Sequence, residues 1–270
     1  MRPADKRTVC AQLIDHGLSK RKVCGIVALS RRMYHYQPSK KVDQPVEQAI
    51  EKILSKHPSW GFWKLYHRLR KDGLVINHKR LWRVYCQLQL NLPRKKKKRL
   101  PDRIKQPLSV PAMANQMWSM DFMLDVLTDG RCFRTLNVME DYNREALAVE
   151  VDFSLPAGRV IRCLEQLIEI HGKPANIRCD NGPEFISSAL SEWCEQKGIQ
   201  LCWIQPGKPT QNAYIERLNG TFRREVLDAY LFTSIGQVRQ VVEEWLVEYN
   251  TLRPHQALGF LTPSEFKQTG

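Results

Sequence analysis

A chain of 270 residues with 43% hydrophobic side chains can bury one medium-sized core and a small additional module, which excludes disorder throughout. The net charge of +14 is unevenly placed: residues 1–110 carry 27 Lys and Arg against 7 Asp and Glu, and residues 111–270 carry 15 against 21, so a front of +20 precedes a back of −6. No apolar run approaches the roughly 18 residues of a membrane span, the polar start is unlike a signal peptide, and the 8 cysteines include no C-x-x-C pair, so the composition predicts a cytoplasmic protein without a membrane partner, with reduced cysteines and a phosphate-binding front.

In chain order, Ser19 stands as N-cap to a helix with the apolar stripe Val23, Cys24 and Val27. A second helix over 30–36 places Arg31 and Arg32 among aromatic residues, as a DNA recognition helix would; a helical hairpin with a solvated basic face is the alternative. After Gln44-Pro45, the stripe Val46, Ile50, Ile53 and Leu54 predicts a helix that His57-Pro58 ends. Two more helices follow over 61–71 and 77–88. Asn77 caps the second, and Lys79, Arg80 and Arg83 project from it beside Leu81, Trp82 and Val84, leaving part of its surface for phosphates. Residues 1–40 thus read as a helix-turn-helix segment and 44–92 as a second helix-turn-helix-like or winged module.

Residues 93–112 contain the run Arg94-Lys95-Lys96-Lys97-Lys98-Arg99 among prolines, a composition that cannot bury a core. It reads as a basic linker, with Lys95, Lys96, Lys97 and Lys98 tracking the DNA backbone or acting as a solvated tether.

From residue 113 onward the pattern changes. Apolar runs over 116–127 and 131–141 flank the turn Thr128-Asp129-Gly130 and predict a hairpin, to which 146–153 adds a third antiparallel strand. A helix over 157–171 stops at Gly172. A strand over 175–180, a helix over 184–197, a strand over 199–204 and further helices complete 113–270. This order is that of an α/β fold with a mixed central sheet.

Within it, Asp121 lies inside the first strand, Asp180 ends a later strand in Asp180-Asn181-Gly182, and Glu216 lies in a helix over 211–219. An Asp amid apolar strand residues is costly to bury, and several gathered acids repel one another. A pair of Mg²⁺ ions would satisfy both constraints and could bridge the oxygens of a phosphoryl transfer. Arg223, Asn212 and Asn219 are spaced to share the face of Glu216, where metal and DNA could be held together.

The 35 residues between Asp180 and Glu216, joined to Trp118-x-x-Asp121, resemble the D,D(35)E core of retroviral integrases and bacterial insertion-sequence transposases, a ribonuclease-H-like fold. Trp60-Gly61-Phe62-Trp63, Asn77-x-Lys79-Arg80 and the close Tyr249-Asn250-x-x-Arg253-Pro254-His255-Gln256-x-Leu258-Gly259 are similar to the second-frame product of the insertion-sequence three family. The resemblance spans nearly the whole chain. It implies a five-stranded mixed sheet flanked by helices and preceded by all-α helix-turn-helix modules.

It also implies water-driven cleavage at element ends, then attack of the freed 3′-hydroxyl on another strand of double-stranded DNA. Asp121, Asp180 and Glu216 would be catalytic and metal-binding, with two Mg²⁺ ions that Mn²⁺ can replace, and Arg223 would contact the element end. No ATP is needed, because one phosphodiester is exchanged for another, and the zinc-binding front domain of retroviral integrases has no counterpart in the ligand spacing. Partner copies on DNA, a first-frame partner or frameshift fusion, and a nucleoid association are the partners implied. A catalytically idle DNA-binding regulator and a structure-specific nuclease are the competing functions. His255 reads as a structural hydrogen-bonding residue.

Overall fold

A computed structural model describes residues 1–36, 43–93, 110–180, 182, 185, 187–205 and 212–269. By its internal contacts the chain divides into two units, Met1–Pro45 and Val46–Gly270. Among the described residues no helix is long and apolar enough to cross a membrane.

In the first unit α1 (Pro3–Asp15), α2 (Lys20–Ile26) and α3 (Arg31–Tyr34) close over Cys10, Val23 and Leu29. Ser19 occupies the cap position of α2 without a side-chain capping bond, whereas Ser30 caps α3 by accepting the Met33 N–H at 3.2 Å. The helix expected over 30–36 is shorter than the sequence suggests and ends at Tyr34. Aromatic residues propagate a helix weakly.

The second unit begins with three amphipathic helices, α4 (Gln44–Leu54), α5 (Phe62–Lys71) and α6 (His78–Gln87). Their i, i+4 stripes meet in a core of Val46, Ile50, Leu65, Leu69, Leu81 and Val84. Asn77 caps α6 as the sequence predicts, its Oδ1 accepting the Lys79 N–H at 2.9 Å.

The sheet follows: β1 (Met117–Val126), β2 (Cys132–Glu140), β3 (Ala146–Asp152), then α7 (Ala157–His171), β4 (Asn176–Cys179), α8 (Ser188–Lys197) and β5 (Gln200–Trp203). The five strands run in the order β3-β2-β1-β4-β5. The β1–β2 and β2–β3 pairs are antiparallel, and the β1–β4 and β4–β5 pairs are parallel, which makes the sheet mixed. Gly172 ends α7 at φ +89°, a conformation that a side chain would strain.

Two helical layers cover the sheet. Strand alternation turns Trp118, Met120, Leu136 and Val138 toward α7 and α8, where Val160, Leu164, Leu167, Leu190 and Trp193 meet them. The opposite face, with Phe133, Met139, Val149 and Val151, packs against α9 (Ala213–Phe222) and α10 (Ile235–Thr251) through Ile215, Leu218, Phe222, Val242 and Trp245. Burying each such side chain contributes about 1.5–3 kcal/mol, more than helix or strand propensity does, so pattern rather than propensity orders these layers. α9 passes directly into a π-helical turn, Arg223–Leu227, and α11 (Pro263–Thr269) closes the described chain.

The helix expected over 184–197 starts instead at Ser188. Ser187 accepts the Leu190 N–H at 3.3 Å and fixes the start, while Phe185 ahead of it is buried and stacks on Phe122 with 4.7 Å between ring centres.

Candidate active site and nucleic-acid interface

Asp121 sits in mid-β1, directly opposite Asn137 of β2. Alternation along β1 sends Trp118 and Met120 to the α7 side and Asp121 to the α9 side. There its Oδ2 accepts Asn219 Nδ2 at 2.8 Å, and Asn219 Oδ1 accepts Asn137 Nδ2 at 2.6 Å. Asp121 Oδ1 accepts the Phe122 N–H at 2.8 Å. This ladder ties β2, α9 and β1 together and fixes the rotation of α9. Glu216 lies in the first turn of α9, close to Asn219 along the helix, and is exposed.

Asp180 follows β4, whose Arg178 pairs with Ser119 of β1. The parallel pairing ends there, and the charge of Asp180 is felt at Asp121 on the neighbouring strand. Asp180 Oδ1 accepts the Gly182 N–H at 3.0 Å, which shapes the turn after the strand.

Burial first, then the negative charge of Asp180 and that of Glu216, push the Asp121 carboxyl up to about 6, against the pull of the Phe122 N–H and Asn219. Both other acids therefore act on Asp121, and both raise it. Among the described residues no group of three or more His, Cys, Asp or Glu side chains is already gathered closely enough to hold a metal ion. The donor set suits a hard divalent cation even so: it is all carboxylate oxygen, and a cation would remove the repulsion that raises Asp121.

The candidate DNA contacts are dispersed. Arg31, Arg32, Lys79 and Arg80 are exposed, and Arg83 is half-buried with Nη1 donating to Gln87 Oε1 at 3.1 Å. Lys95, Lys96, Lys97 and Lys98 lie outside the described residues. Arg223 is engaged at the edge of β1, donating to the Leu124 carbonyl at 3.1 Å and lying 3.6 Å from Asp125.

Asn212 and Asn219 depart from the expected DNA-facing surface, because both are buried. They fall at the spacing of Ile215 and Phe222, so the apolar packing of α9 turns them inward. Asn219 holds Asp121, and Asn212 Oδ1 is buried with no hydrogen-bond partner.

His255 is buried, its Nε2 3.3 Å from the Tyr249 carbonyl, and burial together with the Arg253 charge holds it down to about 3. It is neutral and structural, as the sequence suggests. Two contributors went unnoticed in the sequence. Asn137 was signalled only by its polarity inside the apolar run Leu136-Asn137-Val138. Glu225, in the π-helical turn, accepts Ser59 Oγ at 3.0 Å, Trp245 Nε1 at 3.1 Å and Arg253 Nε at 3.3 Å. Its sequence neighbourhood carried no signal.

An HTH-like domain model matches residues 41–98, and integrase core domain models match residues 111–209 and 197–263. A 39.2 kDa protein of insertion element IS476 from Xanthomonas euvesicatoria is 37% identical over 98% of this chain and 77% of its own length. A 31.7 kDa protein of insertion element IS407 from Burkholderia multivorans is 37% identical over 92% of this chain and 90% of its own length.

The chain belongs to the integrase-core transposase family of bacterial insertion elements. Its function is DNA transposition, as the sequence motifs implied. The α/β architecture is that of the integrase core: a chain from the simian T-cell lymphotropic virus intasome, solved with the PP2A regulatory subunit B56 gamma, covers 82% of this transposase-family chain with a TM-score of 0.53. It covers 75% of that chain at 16% identity, a likeness of fold alone.

Proposed function

We propose that Asp121, Asp180 and Glu216 form the catalytic centre of a metal-dependent DNA strand-cleaving and strand-transferring enzyme. The observation that carries this reading is the Asp121 carboxyl, half-buried on the sheet and raised by the charge of both other acids. These carboxylates would hold two Mg²⁺ or Mn²⁺ ions, which supply Lewis acidity for the attacking and leaving oxygens.

The remaining work falls to the chain's own residues. Asn219 and Asn137 orient the Asp121 carboxylate, leaving its charge available on the α9 side. Glu216 closes the site from an exposed position. Arg223 braces the end of α9 on β1 through Leu124 and Asp125, where it also stands ready to meet a DNA phosphate. In the reaction, water attacks a phosphodiester at the element end and frees a 3′-hydroxyl, which then attacks a second strand. Each step exchanges one P–O bond for another, so no ATP is consumed.

The basic residues ahead of the core supply double-stranded DNA binding: Arg31 and Arg32 in a front segment 1–40, Lys79, Arg80 and Arg83 in a module 44–92, and Lys95 to Lys98 in a linker 93–112 that leads to the core 113–270. Transfer requires two ends held together, which calls for copies of the chain on DNA, with a first-frame partner or fusion as the further component.

Glu216→Gln tests the assignment. It should abolish Mg²⁺-dependent nicking and joining of labelled element ends while leaving DNA binding nearly intact. Nicking and joining by the variant at the unaltered rate would refute the site.

A further inference from the structure

The α5–α6 pair carries a surface that packing does not explain. α5 and α6 contain Lys64, Arg68, Arg70, Lys71, Lys79, Arg80 and Arg83 and neither Asp nor Glu. Arg68 is matched to Asp72 and Lys71 to Glu265, and Lys79 and Arg80 are exposed on the first turn of α6.

Beside them lies an array of rings. Trp63 and Trp82 both pack edge-on against Phe62, with ring centres 5.2 and 4.9 Å from it, and His78 lies 6.1 Å from Trp63. Trp82 stacks on the buried Tyr85 at 5.8 Å. Yet the two indoles remain open to solvent, Trp63 at 52% and Trp82 at 44%, while Trp60 and Trp118 of the same chain are buried to 2% and 0%. A large aromatic surface held rigidly in water forgoes burial that the adjoining core could have provided.

We infer that Trp63 and Trp82, flanked by Lys79 and Arg80, form a stacking platform for unpaired bases of a DNA strand. The inference rests on the DNA-binding reading above and names what this surface takes. Every base has a flat π face, but in a duplex that face is already covered by its neighbours, so an open indole gains most from a base that has lost its partner. Basic groups beside the rings attract the accompanying phosphates, and the absence of acids from both helices favours a polyanion over an ordinary protein surface. The platform has a firm base: His67 of α5 stacks on Phe260 with 3.9 Å between ring centres, and Arg68 Nη1 donates to the Leu252 carbonyl at 3.5 Å. A strand end captured here is thus held by a module anchored to the C-terminal segment of the integrase core.

The test is a fluorescence-anisotropy titration of the full chain with a blunt duplex and with the same duplex extended by an unpaired thymidine flank. The unmodified chain should bind the flanked probe more tightly. Trp63→Ala should weaken flanked binding about tenfold, the size expected for losing one stacked base, leave blunt binding unchanged, and be rescued by Trp63→Phe. Trp82→Ala should act alike. If it unfolds the module, read by circular dichroism, the half-exposed Trp63 series decides alone. Lys79→Ala should weaken both probes and flatten their salt dependence.

Equal affinity for the two probes, or equal loss on both in the tryptophan variants, overturns the platform while sparing the DNA-binding reading. Failure of the unmodified chain to bind either probe overturns both. Loss of self-association in sedimentation, with flanked binding intact, gives the surface to a second copy and overturns the inference.

Discussion

Two half-buried carboxylates in this chain meet opposite fates. Asp121 and Glu225 are both desolvated, and burial alone would raise each. Around Asp121 the dominant charges are Asp180 and Glu216, and its carboxyl is pushed up to about 6. Around Glu225 the charge of Arg253 and the donors Trp245 and Ser59, with Lys64 nearby, outweigh burial and hold it below the usual carboxylate range. Lys64 itself is held down to about 8 by burial and by Arg253. A half-buried acid held by donors and cations is an anchor. One raised by neighbouring acids is where a divalent cation would relieve repulsion. Glu225 joins Ser59, ahead of α5, to the turn after α9 and to Arg253 beyond α10, so the anchor ties the helical module to the helix that carries Glu216.

That contrast can be broken at either end. The largest effect is expected from Asp121→Asn, which should remove measurable Mg²⁺-dependent cleavage and, in metal-free buffer, raise the melting temperature by relieving the repulsion. The sign follows from the raised carboxyl: the native state holds a proton that the unfolded chain releases, so metal-free stability falls as pH climbs from the ordinary Asp range through about 6. The variant should flatten that slope, and a pH series of thermal melts checks it.

At the other end, Arg253→Met should strip the half-buried Glu225 of its ion pair, destabilising the fold by about 1–3 kcal/mol in urea unfolding. Adding Glu225→Gln should recover part of the loss. Breaking the orientation of Asp121 without touching its charge should cost less: Asn219→Ala lowers cleavage by about 10–100-fold, the range for residues that orient metal ligands, with DNA affinity unchanged in a binding titration. A shift in affinity equal to the shift in rate would place Asn219 in DNA binding after all.

The smallest effect belongs to His255. Its folded value lies below its ordinary one, so the native state resists protonation and stability is present above about 6.5 and lost as pH falls toward about 3. His255→Gln should shallow the acid limb of a pH–stability curve and leave the neutral region little changed.

Much of the fold was legible because burial writes a period into sequence. The i, i+4 stripe of Val46 and Ile50, the alternation around Leu136 and Val138, the cap at Asn77 and the stop at Gly172 each report a local constraint, and each is met. Asp121 stood out for a related reason, as a charge inside an apolar strand. The start of α8 was misplaced because Phe185 fits a helical stripe as well as it fits a pocket beside Phe122, and the Ser187 cap decides between them. Asn219 was placed on the right helix, and the structure turns it inward onto Asp121. Helical spacing gives which residues share a face, not whether that face meets solvent or sheet.

What the sequence determined alone was therefore the identity and order of the elements, the basic front against the acidic back, and the candidate acids. Those properties are local: they depend on periods of two and 3.6 residues, on caps, and on charge counts. Only the tertiary structure decided that Asn137 meets Asn219 and that Glu225 meets Ser59, Trp245 and Arg253. It also left Trp63 open while closing over Trp60. Such pairings join residues far apart in the chain through strand register and helix rotation, which are settled when whole apolar faces close together, and no local pattern records them.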